Sequence, residues 1–488
     1  MRKQMKKAFN MVWILAVVLL IILFVMSIHK FQSGKYPEEI NMGEMHLHSH
    51  DIQDAHDALI HTDSDLPEQS CPELTAQPGE EPVRTYQLQA EQTELTMDNG
   101  KRAKAWTFNG STPGPELRVK EGERVVVQLS NKNVEKGVTI HWHGVVLPCS
   151  QDGVAGVTQN AVMPGETFTY EFIAKHPGTY WYHSHQQSSE QSSKGLIGRL
   201  IVEPEADTYH YDHDYAVTLS ILDDRYVLTN GHENGIQLPA EPGDTVRLRL
   251  INASNLVQWM SIAGTDYQVI SMDGQDLNKP GMLVNTKIPI GGGQRYDLLF
   301  TVPEQGAVRV YSNDEEKWSI RIGSGEVFDI EGTESAFDFT RYGEPVSTDP
   351  IQSNTVYDKE FNLDLGAVNI NGEQFHHIPP MIVKEGDKVK IRLQHQFGAE
   401  HPMHLHGHLF RVISKNGQTL TRSPVYLDSL LLFRGDVYEI AFEADNPGLW
   451  MMHCHNLGHA ANGMSMMLNY DGVTTPYTVG TIPGNLPD

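Results

Sequence analysis

One two-part pattern, written three times, limits what this chain can become. The first part reads VKEGERVVVQLSNKNVEKGVTIHWHG at Val119–Gly144. It recurs as AEPGDTVRLRLINASNLVQWMSIAG at Ala240–Gly264 and as VKEGDKVKIRLQHQFGAEHPMHLHG at Val383–Gly407. Each copy opens on a glycine turn. Apolar residues then alternate, as at Val125, Val127 and Leu129 or at Val246, Leu248 and Leu250. Period two is the mark of a strand with one buried face. The second part follows each first part: Pro164–His185, Gly291–Asn313 and Arg434–His455 all run strand, turn, glycine, strand. A repeat of roughly 130 residues predicts three similar β-sandwich domains, near 82–205, 206–340 and 345–488. The 42 Gly and 26 Pro residues punctuate the chain as a turn-rich β protein requires. No sustained helical period appears beyond the N-terminal segment.

Laid over one another, the copies differ in their histidines. His141 and His143 fall on His404 and His406, and the middle copy has Ser261 and Ala263 there. His183 and His185 fall on His453 and His455, against Tyr311 and Asn313 in the middle copy. A purely structural use of histidine would have to apply in two copies and fail in the third. In a strand, residues i and i+2 share a face, so each His-x-His aims two imidazoles at one point. Imidazole suits copper, zinc, iron and nickel. If the first and third domains face each other, the four pairs can hold three metal ions, using three, three and two histidines.

Cys454 stands between His453 and His455 and points the other way. His459 and Met464 follow it, and His401 comes from HPMHLH. Two histidines, a cysteine and a weak axial methionine form the blue-copper ligand set. A closed structural zinc site needs only four ligands and explains none of the other histidines. The chain has Ser184 where the third copy has Cys454, so one residue separates a strand that only supports the cluster from one that also joins it to a second site.

With HWHG (141–144), HSH (183–185), HPMHLHGH (401–408) and HCHNLGHAANGM (453–464), the chain resembles the three-domain, laccase-like multicopper oxidases from about residue 85 to its end. The resemblance implies an all-β fold of three cupredoxin-like Greek-key sandwiches and four copper ions. It assigns His401, Cys454, His459 and Met464 to type 1 copper, and His141 and His404 to type 2. His143, His183 and His455 fall to one type 3 copper, and His185, His406 and His453 to the other. It further implies single-electron oxidation of a substrate at type 1 and four-electron reduction of O₂ to water at the trinuclear cluster, with no flavin or nicotinamide. A methionine at 464 implies a low or moderate type 1 potential. Asp152, eleven residues after His141, matches an aspartate that supplies protons, although Asp-Gly is also a common turn. Relatives place a further acid where this chain has Leu457, Gly458 and Ala460; Glu190 is the substitute candidate.

The N-terminus carries Arg2, Lys3, Lys6 and Lys7 before an apolar run at 11–28. At roughly 18 residues the run can just span a bilayer. Residues 1–30 are therefore expected to be an uncleaved anchor, or a signal segment, with the N-terminus cytoplasmic. Residues 31–81 follow as an acidic linker. Between 36 and 83 lie 12 acidic residues and no Lys or Arg, together with MGEMHLHSH at Met42–His50, His56 and His61. This reads as a solvated spacer, or as a metal-collecting arm. Outside the cytoplasm Cys71 and Cys149 could pair. A formal charge of -25 makes nucleic acid an improbable partner.

Family substrates are phenols and aromatic amines, or Cu(I), Fe(II) or Mn(II). The anchor and the Met/His-rich arm point toward extracytoplasmic copper tolerance. Met403, Met451, Met452, Met466 and Met467 read first as core packing, and no long Met-rich insertion appears. A two-domain copper nitrite reductase would lack four His-x-His pairs. A non-catalytic copper-binding cupredoxin protein would show lost ligands, as the middle copy does and the outer two do not.

Overall fold

A computed structural model describes residues 36–45, 68–77, 79–312, 317–328, 334–351 and 355–488. The apolar run at 11–28 and the histidines of the acidic arm lie outside these residues, as does Asn313. Among the described residues no helix is long and apolar enough to cross a membrane, and the α-helices are two short turns, Ser188–Ser193 and Leu457–Ala460.

Each repeat unit builds a pair of sheets. In the first unit the sheet that carries function orders Glu116–Lys120, Ile197–Glu203, Gly178–His183 and His141–His143. In the third it orders Met381–Val383, Ser465–Tyr470, Leu449–Cys454, His401–Leu405 and Ser429–Leu432. Alternation fills the space between paired sheets. Val125, Val127 and Leu129 are fully buried, as are Val246, Leu248 and Leu250, and Val389, Ile391 and Leu393.

Strand register aligns the three copies. His141 pairs across to His183, His404 to His453, and Ser261 to Tyr311. The same inward positions therefore carry imidazoles in the outer units and none in the middle one.

The acidic linker differs from the expected solvated spacer at its described ends. Met42 and Met45 are buried, Ile40 bridges to Val479, and Asn469 Nδ2 donates to the Met42 carbonyl. Gln69–Ser70 forms a parallel pair with Val473–Thr474. Apolar side chains at Met42 and Met45 give this stretch surface to bury, which an all-polar spacer lacks. Cys71 and Cys149 form a disulfide, with Cα atoms 5.4 Å apart.

Candidate metal centre

The short strand His141–His143 and the end of Gly178–His183 bring one set of imidazoles to the edge of the first unit. His401–Leu405 and Leu449–Cys454 bring the other set from the third. The units meet there, and all eight histidines of the four pairs are buried. Three all-histidine groups have ligand atoms within 4.8 Å of one another: His141, His143 and His404; His143, His183 and His455; His185, His406 and His453; Asp152 makes a mixed group with His141 and His406. A further group, His401, Cys454 and His459, lies within the same limit. Cys454 Sγ is 3.6 Å from Nδ1 of both His401 and His459. Met464 is buried beside them, its carbonyl accepting from Cys454 N at 3.0 Å.

Donor chemistry fits copper. Nδ1 of His143, Nε2 of His183 and both ring nitrogens of His185 and His455 are buried without a hydrogen-bond partner. Buried polar atoms are rarely left so, and each of these rings contributes a nitrogen to a group of ligand atoms within 4.8 Å of one another. His141 Nε2 approaches His404 Nε2 at 3.4 Å, and His406 Nε2 approaches His453 Nε2 at 3.1 Å. A cation between such lone pairs satisfies several of them at once. Burial, reinforced by neighbouring imidazoles, holds the pKa values of His143, His183, His185, His406 and His455 well below the usual histidine range. Burial also lowers His404 to about 4 and His401 to about 3. The rings are thus neutral at pH 7 and their lone pairs are available. Burial pushes the Cys454 thiol up to about 12, so without a metal it stays protonated; metal binding would displace that proton.

Asp152 stands at the cluster. One carboxylate oxygen meets His406 Nδ1 at 2.8 Å, and the other lies 3.2 Å from His141 Nδ1 without accepting a hydrogen bond. Glu190 is elsewhere: it sits on the helix Ser188–Ser193, ion-paired to Lys136 and Lys194. Two lysines pair with this partly exposed carboxylate, the setting of an ordinary surface ion-pair residue. Leu457, Gly458 and Ala460 fall on the short helix beside the cysteine site.

Sequence reasoning missed several neighbours. Asp428 lies 3.1 Å from His143 Nε2, and Arg295 of the middle unit forms two hydrogen bonds to it, at 2.7 and 2.6 Å. Burial opposes charge on Asp428, but Arg295 and His404 outweigh it and hold the carboxyl well below the usual range. Asp273, 3.4 Å from Arg295, is pushed up to about 7 by burial and by the charge of Asp428. Gly293 has φ +83°, and a Cβ there would come within 2.9 Å of the His455 ring and 3.0 Å of His143. His395, fully enclosed and without a polar partner, packs its ring 4.4 Å from His401. The only signal in the sequence was a lone acid before the apolar run SLLL, and an arginine after GGGQ.

Beside the cysteine site a cleft of about 360 Å³ opens to the surface, lined by Leu256, Trp259, Trp318 and Glu400 among others. Trp318 is buried and Leu256 is exposed. Trp259 stacks on Phe433. Glu400 directly precedes His401. The five methionines of the third unit, Met403, Met451, Met452, Met466 and Met467, are buried in its core.

Family models described as multicopper oxidase match residues 89–207, 181–314 and 344–472. Among curated proteins, Laccase-1 of Botryotinia fuckeliana is 28% identical, covering 82% of this chain and 84% of its own length. An iron transport multicopper oxidase of Candida albicans is 25% identical over 75% of this chain and 72% of its own. Among solved structures, a multi-copper oxidase from Pseudomonas thermotolerans superposes with a TM-score of 0.68 at 28% identity, covering 80% of this chain and all of that one. A laccase mutant from B. aclada reaches 0.70 at 24% identity, over 83% of this chain and 90% of its own, a likeness of fold. Matches in all three repeat units, with a buried donor set suited to copper between the outer two, make this chain a member of the multicopper oxidase family, copper-dependent oxidoreductases that use O₂ as acceptor.

Proposed function

We propose that this member is a laccase-like oxidase of phenols or aromatic amines. In this reading His401, Cys454, His459 and Met464 hold type 1 copper, and His141 and His404 hold type 2. His143, His183 and His455 hold one type 3 ion, and His185, His406 and His453 the other. When bound, copper supplies single-electron oxidation at the thiolate-bearing centre and four-electron reduction of O₂ to two waters at the histidine cluster. One observation carries the reading: His453, Cys454 and His455 are consecutive, and their side chains reach three different donor groups, the cysteine site and two of the histidine cluster. A few covalent bonds of one strand therefore join the site facing substrate to the site facing O₂. Asp152 is the acid in this reading, because one of its oxygens beside His141 accepts no hydrogen bond.

The cleft at Glu400 favours an organic substrate. Leu256 and Trp259 offer an apolar wall to an aromatic ring, and Glu400 offers a carboxylate to take the hydroxyl proton as an electron leaves. The methionines of the third unit, soft donors of the kind a cuprous ion takes, are buried away from solvent. An oxidase of Cu(I), Fe(II) or Mn(II) is thus the second reading, and a non-catalytic copper carrier the third. We place the domain boundaries at 82–205, 206–340 and 345–488. The Cys71–Cys149 disulfide suits an oxidising, extracytoplasmic compartment, with residues 11–28 as the anchor. The test is oxygen uptake by copper-loaded protein given a methoxyphenol, Cu(I) or Fe(II) in separate runs. The phenol should give the highest kcat/KM. A faster reaction with either metal ion would move the assignment to a metallo-oxidase, and a colourless copper-loaded protein would remove the type 1 site.

A further inference from the structure

Around the histidine cluster two aspartates occupy matching places. Asp152 belongs to the first unit and Asp428 to the third. His141 Nδ1 donates to the backbone carbonyl of Asp152 at 2.9 Å, and the Asp152 carboxylate accepts from His406 of the opposite unit at 2.8 Å. His404 Nδ1 donates to the backbone carbonyl of Asp428 at 2.8 Å. The Asp428 carboxylate in turn lies 3.1 Å from Nε2 of His143, again on the opposite unit. Each aspartate thus spans a stacked pair of rings from the two units: His141 on His406 at 3.9 Å, and His143 on His404 at 3.8 Å.

The match breaks at one point. One oxygen of Asp152, 3.2 Å from His141 Nδ1, takes no hydrogen bond from another protein group. Both oxygens of Asp428 are taken: Arg295 donates to each, and Ser429 Oγ donates to one at 2.9 Å. Arg295 is itself fixed, donating from Nε to the Thr179 carbonyl at 2.9 Å in the first unit. It is enclosed, and the residue that admits it is Gly144 of HWHG. A Cβ at Gly144 would stand 2.3 Å from an Arg295 nitrogen and 2.4 Å from an Asp428 oxygen.

We infer that the middle unit, which carries no metal-ligating histidine pair, builds the cluster through Arg295: it locks Asp428 as a positioning residue that orients His143 and His404, while the unlocked Asp152 keeps the proton-handling place. The Asp428 backbone carbonyl takes the outer nitrogen of His404, and Ser429 Oγ, itself held by the Asp428 carboxylate, meets the outer nitrogen of His143 at 3.1 Å, so that the Asp428 segment sets the direction of the nitrogen left for the metal on each ring. A bidentate Arg–carboxylate pair is stiff enough to serve this purpose. The inference rests on the copper assignment above.

The test compares wild type, Asp428→Asn and Arg295→Lys, each loaded with copper. Copper per chain, the blue absorption of type 1 and the electron paramagnetic resonance signal of type 2 are read together. Asp428→Asn should keep the blue band and lose most of the type 2 signal, with copper falling below four per chain. Arg295→Lys should give the same pattern more weakly, because one amine cannot hold both oxygens. Asp428→Glu should recover part of the type 2 signal. An unchanged type 2 signal and full copper in both Asp428→Asn and Arg295→Lys would overturn the inference and leave the copper assignment standing. Equal loss of both signals in both variants would also overturn it, as general misfolding rather than positioning. Absence of a blue band in wild type would instead defeat the assignment beneath it.

Discussion

At the scale of single residues, the chemistry turns on one sulfur. Cys454 is enclosed, and its thiol is pushed up to about 12 by burial, so only a metal gives it reason to ionise. Ser184 occupies the same place in the first unit, between His183 and His185. There its hydroxyl donates to Gln191 Oε1 at 2.7 Å and reaches no metal group. The fold therefore already accepts a serine between two such histidines. Cys454→Ser should fold, at a cost within the about 0.5–3 kcal/mol of ordinary substitutions. It should lose the blue band completely and bring oxidase activity to background, while the histidine cluster still takes copper. Absorbance near the blue maximum, copper per chain and oxygen uptake with a phenol measure all three. Retained oxygen uptake would sink the strand as the link between the two sites.

At the scale of elements, the strands announced the site and the loops concealed its support. Four His-x-His pairs were legible because a strand converts spacing two into a shared face, whatever the rest of the fold does. The overlay of Ser261 on His141 and His404 was legible for the same reason, and the cross-strand register keeps it. Arg295 and Asp428 were not legible, because 133 residues separate them and their meeting depends on how three units pack. Glu190 was proposed from its nearness to HSH in sequence, which says nothing of its partners; in the fold its carboxylate is paired with Lys136 and Lys194. In the linker, charge density hid Met42 and Met45, whereas the pairing of Cys71 with Cys149, possible from the cysteine count, is the one the structure makes. The disulfide closes a separation of 78 residues and ties this stretch to the first unit. Replacing both cysteines with serine should lower unfolding stability by about 2–5 kcal/mol, read as a fall in the urea midpoint, while the blue band of the folded protein is unchanged. An unaltered midpoint would mean that the docked segment alone holds the linker in place.

At the scale of the whole molecule, burying so many imidazoles makes stability depend on pH in a definite direction. In the folded protein burial lowers His404 and His408 to about 4 and His401 to about 3. In the unfolded chain each returns to about 6.5. Between those values the unfolded state binds more protons, so stability rises with pH there and falls as pH falls. The stabilising difference is complete above the unfolded value, begins to go near pH 6.5, and is spent only at the folded values near 3 to 4. Each unit of difference is worth about 1.4 kcal/mol, so His408 alone, which belongs to no metal group, contributes on the order of 3 kcal/mol to that slope. Copper adds to the slope from the loaded side, because protons compete with the metal for the same nitrogens. Urea unfolding of copper-free protein at pH 8, 6, 5 and 4 should therefore show a midpoint that is level from 8 to about 7 and then drops steeply. The loaded protein should keep a higher midpoint until copper leaves, and the two curves should converge at the acid end. A copper-free midpoint that stays level down to pH 5 would mean that protons reach the histidines without unfolding. The cluster would then have to be open to water, contrary to the enclosure by which the three units hold it.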